Sequence, residues 1–169
     1  RLDELGITLP KAAAPVASYV PVAVHGGLAY LSGQLPFIDG ELVTGRLGED
    51  VSLEDGVAAA RACGLMILAQ LEGARISLDR VERVVRLGAF VNSTADFTDQ
   101  AKVANGASEL MFDVFGEAGR HARAAVGVPV LINEGINLEV NGAPLHLAGV
   151  DSSWGGNPDL ARALATAPT

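Results

Sequence analysis

One cysteine, Cys63, stands among the 169 residues, so no disulfide can form within the chain. It lies in the apolar stretch RACGLMIL, where a buried, inert thiol is favoured over a reactive one. The three histidines, His25, His121 and His146, show no H-x-x-x-H spacing and no C-x-x-C accompanies them, so neither a protein-bound metal nor a cofactor is expected. No G-x-S-x-G elbow, G-x-x-x-x-G-K-[ST] loop or G-x-G-x-x-G turn occurs, which removes the usual nucleophile and nucleotide signatures. Basic residues are scarce: 12 Lys and Arg against 20 Asp and Glu leave a net charge of −8. Phosphate neutralisation draws its affinity from clustered cations, so nucleic acid is a disfavoured partner despite the short groups Arg80/Arg83/Arg86 and Arg120/Arg123. No apolar run approaches the roughly 18 residues of a membrane span. The opening RLDELGITLPKAAAP has neither the basic start nor the apolar stretch of a secretory signal, so a reducing cytoplasm is the expected setting.

What is present suits one folded domain, with 49% hydrophobic and 19% charged residues. Residues 16–24 and 27–35 are rich in β-branched and aromatic residues, are separated by His25-Gly26 and read as a hairpin, followed by a turn at Phe37–Gly40 and a short strand at 41–44. Apolar residues recur at helical spacing through Ser52–Gly73, with Ser52 as N-cap and Glu54 and Asp55 in the first turn. The small residues Ala58, Ala59, Ala60, Ala62 and Gly64 suit close packing of that helix against a sheet. A strand at 81–91, a helix at 97–115 ending near Gly116 or Gly119, and a strand at 122–131 follow. Asn141-Gly142 then signals a hairpin within 136–150, and Asn157-Pro158 starts a short final helix. The fold class is α+β.

Arg123 begins an otherwise apolar strand, A-R-A-A-V-G-V. A guanidinium is costly to bury alone, so it either pairs with a carboxylate of the protein or receives an anionic ligand. Ser32-Gly33-Gln34 ends a strand, where Gly33 lets a ligand approach the backbone and Ser32 can donate a hydrogen bond, or where the chain merely turns.

Taken in order, LSGQ, NGAS and ARAAV resemble the blocks of the YjgF/RidA family, also called L-PSP endoribonucleases or translation inhibitors. LGITLPKAAAPVASY and GEAGRHARAAVGV are similar to one subgroup of it. The resemblance covers about residues 1–131. It implies a chorismate-mutase-like mixed sheet covered on one face by two helices, a homotrimer with clefts between subunits, and hydrolysis of enamine or imine intermediates to 2-oxo acids and ammonia. By this resemblance Arg123 clamps the carboxylate of a small ligand, a role its fork suits. Ser32 and Gly33 match the loop beside the substrate, Tyr19 the tyrosine of the cleft, and Asn105 an asparagine of the second helix. Ala125 replaces the cysteine of well-known members, which that chemistry does not need as a nucleophile.

Family members end in a strand of the type V-E-V-E-A, whose first glutamate orients the water. Here only Glu139 in NLEV stands near that position, one residue out of step. Strand side chains alternate faces, so Glu139 is either the catalytic glutamate, with a bulge absorbing the shift, or a solvent-facing residue. Residues 132–169 form an atypical segment that resembles an internal piece of calcineurin-like metallophosphoesterases without their metal-binding motifs. A chimeric chain, with an extra C-terminal hairpin and short helix, is the expectation.

Overall fold

A computed structural model of the chain describes residues 1–15, 17–128, 134–140 and 143–149, together with Arg162 and Ala165. It divides into two units, Arg1–Val128 and Pro129–Thr169.

In the first unit β1 (Val22–His25) and β2 (Leu28–Leu31) form an antiparallel hairpin, and β3 (Phe37–Ile38) and β4 (Glu41–Leu42) form a second. The latter turns at Asp39 and Gly40, both at positive φ (52° and 86°), the backbone twist that a two-residue Asp-Gly turn supplies. Helix α1 (Leu53–Gly73) starts where the sequence places it, because the Ser52 hydroxyl accepts the Asp55 N–H. The strand expected from residue 81 begins five residues later, as β5 (Arg86–Asn92). The second helix is divided into α2 (Gln100–Val103) and α3 (Asn105–Phe115), and β6 (Ala122–Val128) follows.

β5 and β6 pair in parallel, with α2 and α3 as the crossover between them. Parallel neighbours require such a crossover, and it lays helices over one face. Leu87 and Val91 are accordingly buried on that face, whereas Phe90 on the other is 78% exposed. The expected single mixed sheet is not what the described residues form; their strands pair two by two.

The core sits chiefly between helices. Leu68 and Leu71 of α1 cluster with Leu110, Met111 and Val114 of α3. Each fully buried side chain of this kind contributes about 1.5–3 kcal/mol. Small residues of α1 serve a helix as well as the strands: a Cβ on Gly64 would meet Leu110 Cδ2 at 2.9 Å, one on Gly106 of α3 would fall on the Val57 carbonyl, and Ala60 packs against the cluster that holds Val91 of β5. Absent side chains thus let the two backbones approach. A smaller cluster, Leu47, Val91 and Val103, joins β5 to α2.

In the second unit β7 (Glu134–Val140) and β8 (Ala143–Gly149) form an antiparallel hairpin. The Asn141-Gly142 turn expected to close it lies outside the described residues. So does the start of the last helix, of which Arg162 is helical.

Candidate functional site

Arg123 is aligned with the buried Leu87 in the parallel ladder, so both occupy the face of β5–β6 that the helices cover. Gly127, four residues on and on the same face, lies against the Gln100 and Ser93 side chains. The register therefore aims Arg123 at the crossover. There its Nη1 donates to Asn105 Oδ1 at 2.8 Å and to Ser108 Oγ at 3.0 Å. Asn105 and Ser108 share a helix face because they stand three residues apart in α3.

The hydrogen-bond chain continues beyond the arginine. Ser108 Oγ lies 3.0 Å from His121 Nε2, and His121 Nδ1 lies 2.6 Å from the Gly119 carbonyl oxygen. A carbonyl only accepts, so Nδ1 carries a proton. In neutral imidazole, Nε2 then accepts the Ser108 hydroxyl proton. These groups line a cleft of about 340 Å³ with Glu109, Phe112 and Arg120. The Arg120 guanidinium sits 4.5 Å from the centre of the Phe112 ring and pairs with Glu117 at 3.0 Å. Arg123, in contrast, has no carboxylate within ion-pair distance among the described residues.

Arg123 and Asn105 thus come together, while Tyr19, Ser32 and Gly33 do not join them. Tyr19 and Gly33 line a separate cavity of about 150 Å³, beside Phe37, Met66 and Gln70. The Ser32 hydroxyl donates to the Val20 carbonyl at 2.7 Å and its N–H to Pro21, so it fastens the end of the β1–β2 hairpin. Glu139 stands in β7 opposite Pro144, and its side chain lies outside the described residues. Among the described residues no three His, Cys, Asp or Glu side chains gather as a metal site.

Sequence reasoning overlooked Ser108 and His121. The signal was available in the two-residue spacing of His121 and Arg123, which sends both side chains to one side of extended chain, and in the helical spacing of Asn105 and Ser108.

A parallel strand pair under a split crossover helix, with an arginine aimed from the strand into a cleft beside that helix, is an α+β arrangement. The chain belongs to the family described as "YjgF/chorismate mutase-like, putative endoribonuclease", whose model matches residues 1–141. That match reaches past residue 131 and takes in all of β7, including Glu139. The chain is 53% identical to protein TCP17 of Trypanosoma cruzi over 132 residues, 77% of this chain and 82% of that one. Among solved structures it resembles protein Atu1372 of Agrobacterium tumefaciens, with 46% identity and a TM-score of 0.69 over 77% of this chain and 80% of the other. It also resembles a protein of Shewanella oneidensis described as "a putative endoribonuclease", with 36% identity and a TM-score of 0.73 over 78% of this chain and 87% of the other. These relatives give no support to a phosphoesterase origin for the tail. No described helix is long and apolar enough to cross a membrane.

Proposed function

We propose that the protein hydrolyses small enamine or imine intermediates that carry a carboxylate, releasing 2-oxo acids and ammonia. One observation carries this reading. Arg123 is fixed along one edge by Asn105 and Ser108, while no carboxylate among the described residues claims its charge. A guanidinium pre-ordered in this way offers its remaining N–H groups to a planar carboxylate with little further loss of side-chain freedom. The imine carbon is then presented to water, and Glu139 serves as general base.

The site is completed in a homotrimer, where the Tyr19/Gly33 surface of one copy faces the Arg123 cleft of the next. Two features support this assembly. The two half-sites line different cavities within one chain. The uncovered face of β5–β6 also exposes the adjacent pair Phe90 and Val126, apolar area suited to burial between copies.

A second reading, a binder of small carboxylates without turnover, is favoured by Ser32, whose hydroxyl is committed to the Val20 carbonyl. Endoribonuclease action, for which one solved relative is named, is opposed by the net charge of −8.

The test generates 2-iminopropanoate with a coupled dehydratase and follows ammonia release with wild type, Arg123→Ala and Glu139→Ala. Wild type should exceed the spontaneous rate, and each variant should lose about 100-fold or more. A wild-type rate equal to the spontaneous one refutes turnover. Loss with Arg123→Ala alone removes Glu139 from the mechanism. Light scattering should give the mass of three chains.

A further inference from the structure

The same cleft holds a second set of chemical groups, and we propose that Ser108 and His121 form a nucleophile–base pair that cleaves small activated esters bearing an anionic group. The hydroxyl, the imidazole and a third group that orients the imidazole stand in hydrogen-bonded sequence, the arrangement that activates a serine. Gly119 sets the tautomer, because its carbonyl holds the proton on Nδ1 and leaves the Nε2 lone pair for Ser108. That carbonyl is firmly placed: Gly119 is buried, and a Cβ there would collide with the Met111 carbonyl of α3. The helix that carries the nucleophile therefore also positions the group that orients its base. Arg123 adds what an ordinary serine–histidine contact lacks, a cation 3.0 Å from Oγ that favours the developing alkoxide. Ser108 and His121 are half-buried at an open cleft of about 340 Å³, so a small substrate can reach them.

In the first step Ser108 Oγ forms a bond to the ester carbonyl carbon and its proton passes to His121 Nε2. The carbonyl electron pair moves onto oxygen, where free N–H groups of Arg123 receive it. Collapse breaks the bond to the alcohol, which leaves with the proton from Nε2. Water, deprotonated by His121, then attacks the acyl-serine, releases the carboxylate and restores the hydroxyl. Ester and water become acid and alcohol, with no other reactant. This activity does not involve Glu139 and stands apart from imine hydrolysis.

The full chain is mixed with mono-4-nitrophenyl succinate, nitrophenolate release is followed by absorbance, and the quenched protein is digested for mass analysis. The expected result is a burst stoichiometric with chains and a succinyl increment on the peptide containing Ser108. Ser108→Ala and His121→Gln should abolish the burst and slow turnover by about 100-fold or more, with thermal melts like that of wild type. Should the alanine variant fail to fold, Ser108→Cys retains a nucleophile and should accumulate the succinyl thioester. With each ester's spontaneous hydrolysis subtracted, which for the succinate includes attack by its own carboxylate, the neutral acetate ester should react more slowly than the succinate, a preference that Arg123→Met removes. Succinylation confined to lysines or the N-terminus, turnover unaffected by Ser108→Ala, or equal rates on the two esters would overturn the proposal.

Discussion

Cys63 should be nearly inert to thiol reagents at mildly alkaline pH, and the reason is quantitative. Burial pushes its thiol up from 9.0 to about 11, a backbone hydrogen bond at Cys63 offsetting part of the rise. Its Sγ also donates to the Gln34 carbonyl at 3.4 Å, so the neutral form is the one the fold accommodates. The thiolate is the reactive species; at about pH 8 it falls from roughly 10% of an ordinary thiol to roughly 0.1% here, about 100-fold slower labelling before any steric shielding. The same shift makes stability depend on pH. Between about pH 9 and pH 11 the unfolded chain releases this proton while the folded chain retains it, so stability falls as pH rises. The contribution is complete below pH 9, and the two-unit shift is worth about 2–3 kcal/mol. Ellman's reagent tests the first consequence. For the second, urea melts of wild type and Cys63→Ala are compared across that window, because the alanine chain cancels the titration of every other group. A labelling rate like that of a free thiol, or a wild-type minus variant difference that stays flat with pH, would refute the assignment of Cys63 to a desolvated site.

Two substitutions probe helix α1 and its packing on α3. Ser52→Ala removes the hydroxyl that accepts the Asp55 N–H at 3.1 Å and should cost about 1 kcal/mol in the urea midpoint, with the m-value unchanged. Gly106→Ala places a methyl against the Val57 carbonyl of α1, so the helices must separate; about 1–3 kcal/mol should be lost, and an unchanged melt would show that they are not in such close contact.

Local features of this protein were legible in its residues. Ser52 followed by Glu54 and Asp55 starts α1, and α1 ends at Gly73 as its apolar spacing indicates. Asp39-Gly40 turns the second hairpin, and the NLEV-NG-APLHL pattern corresponds to strands β7 and β8. Such features follow from hydrogen bonds and dihedral preferences acting over a few residues, which a linear pattern records. The end of α3 is of the same kind, because Gly116 adopts a φ of 61° that favours glycine.

The site was only half legible for the opposite reason. That Arg123 is a candidate for ligand binding follows from its charge in an apolar strand; the structure leaves it exposed, and which groups it meets depends on bringing together residues 18 and 15 positions away. The parallel register of β5 and β6 decides this by setting Arg123 beside Leu87 on the helix-covered face. His121 shows the same division. Its imidazole is evident in the sequence, but the Gly119 carbonyl and the Ser108 hydroxyl that fix its tautomer meet only when α3 packs beside β6. Likewise Tyr19 and Gly33 proved to line a cavity other than the one Arg123 lines, a separation no spacing encodes. Neighbouring residues are enough to set where helices and turns begin and to single out one cation in an apolar strand. The groups that meet this cation, Asn105 and Ser108, come from the packing of the chain, because hydrogen-bond partners are set by distance in space.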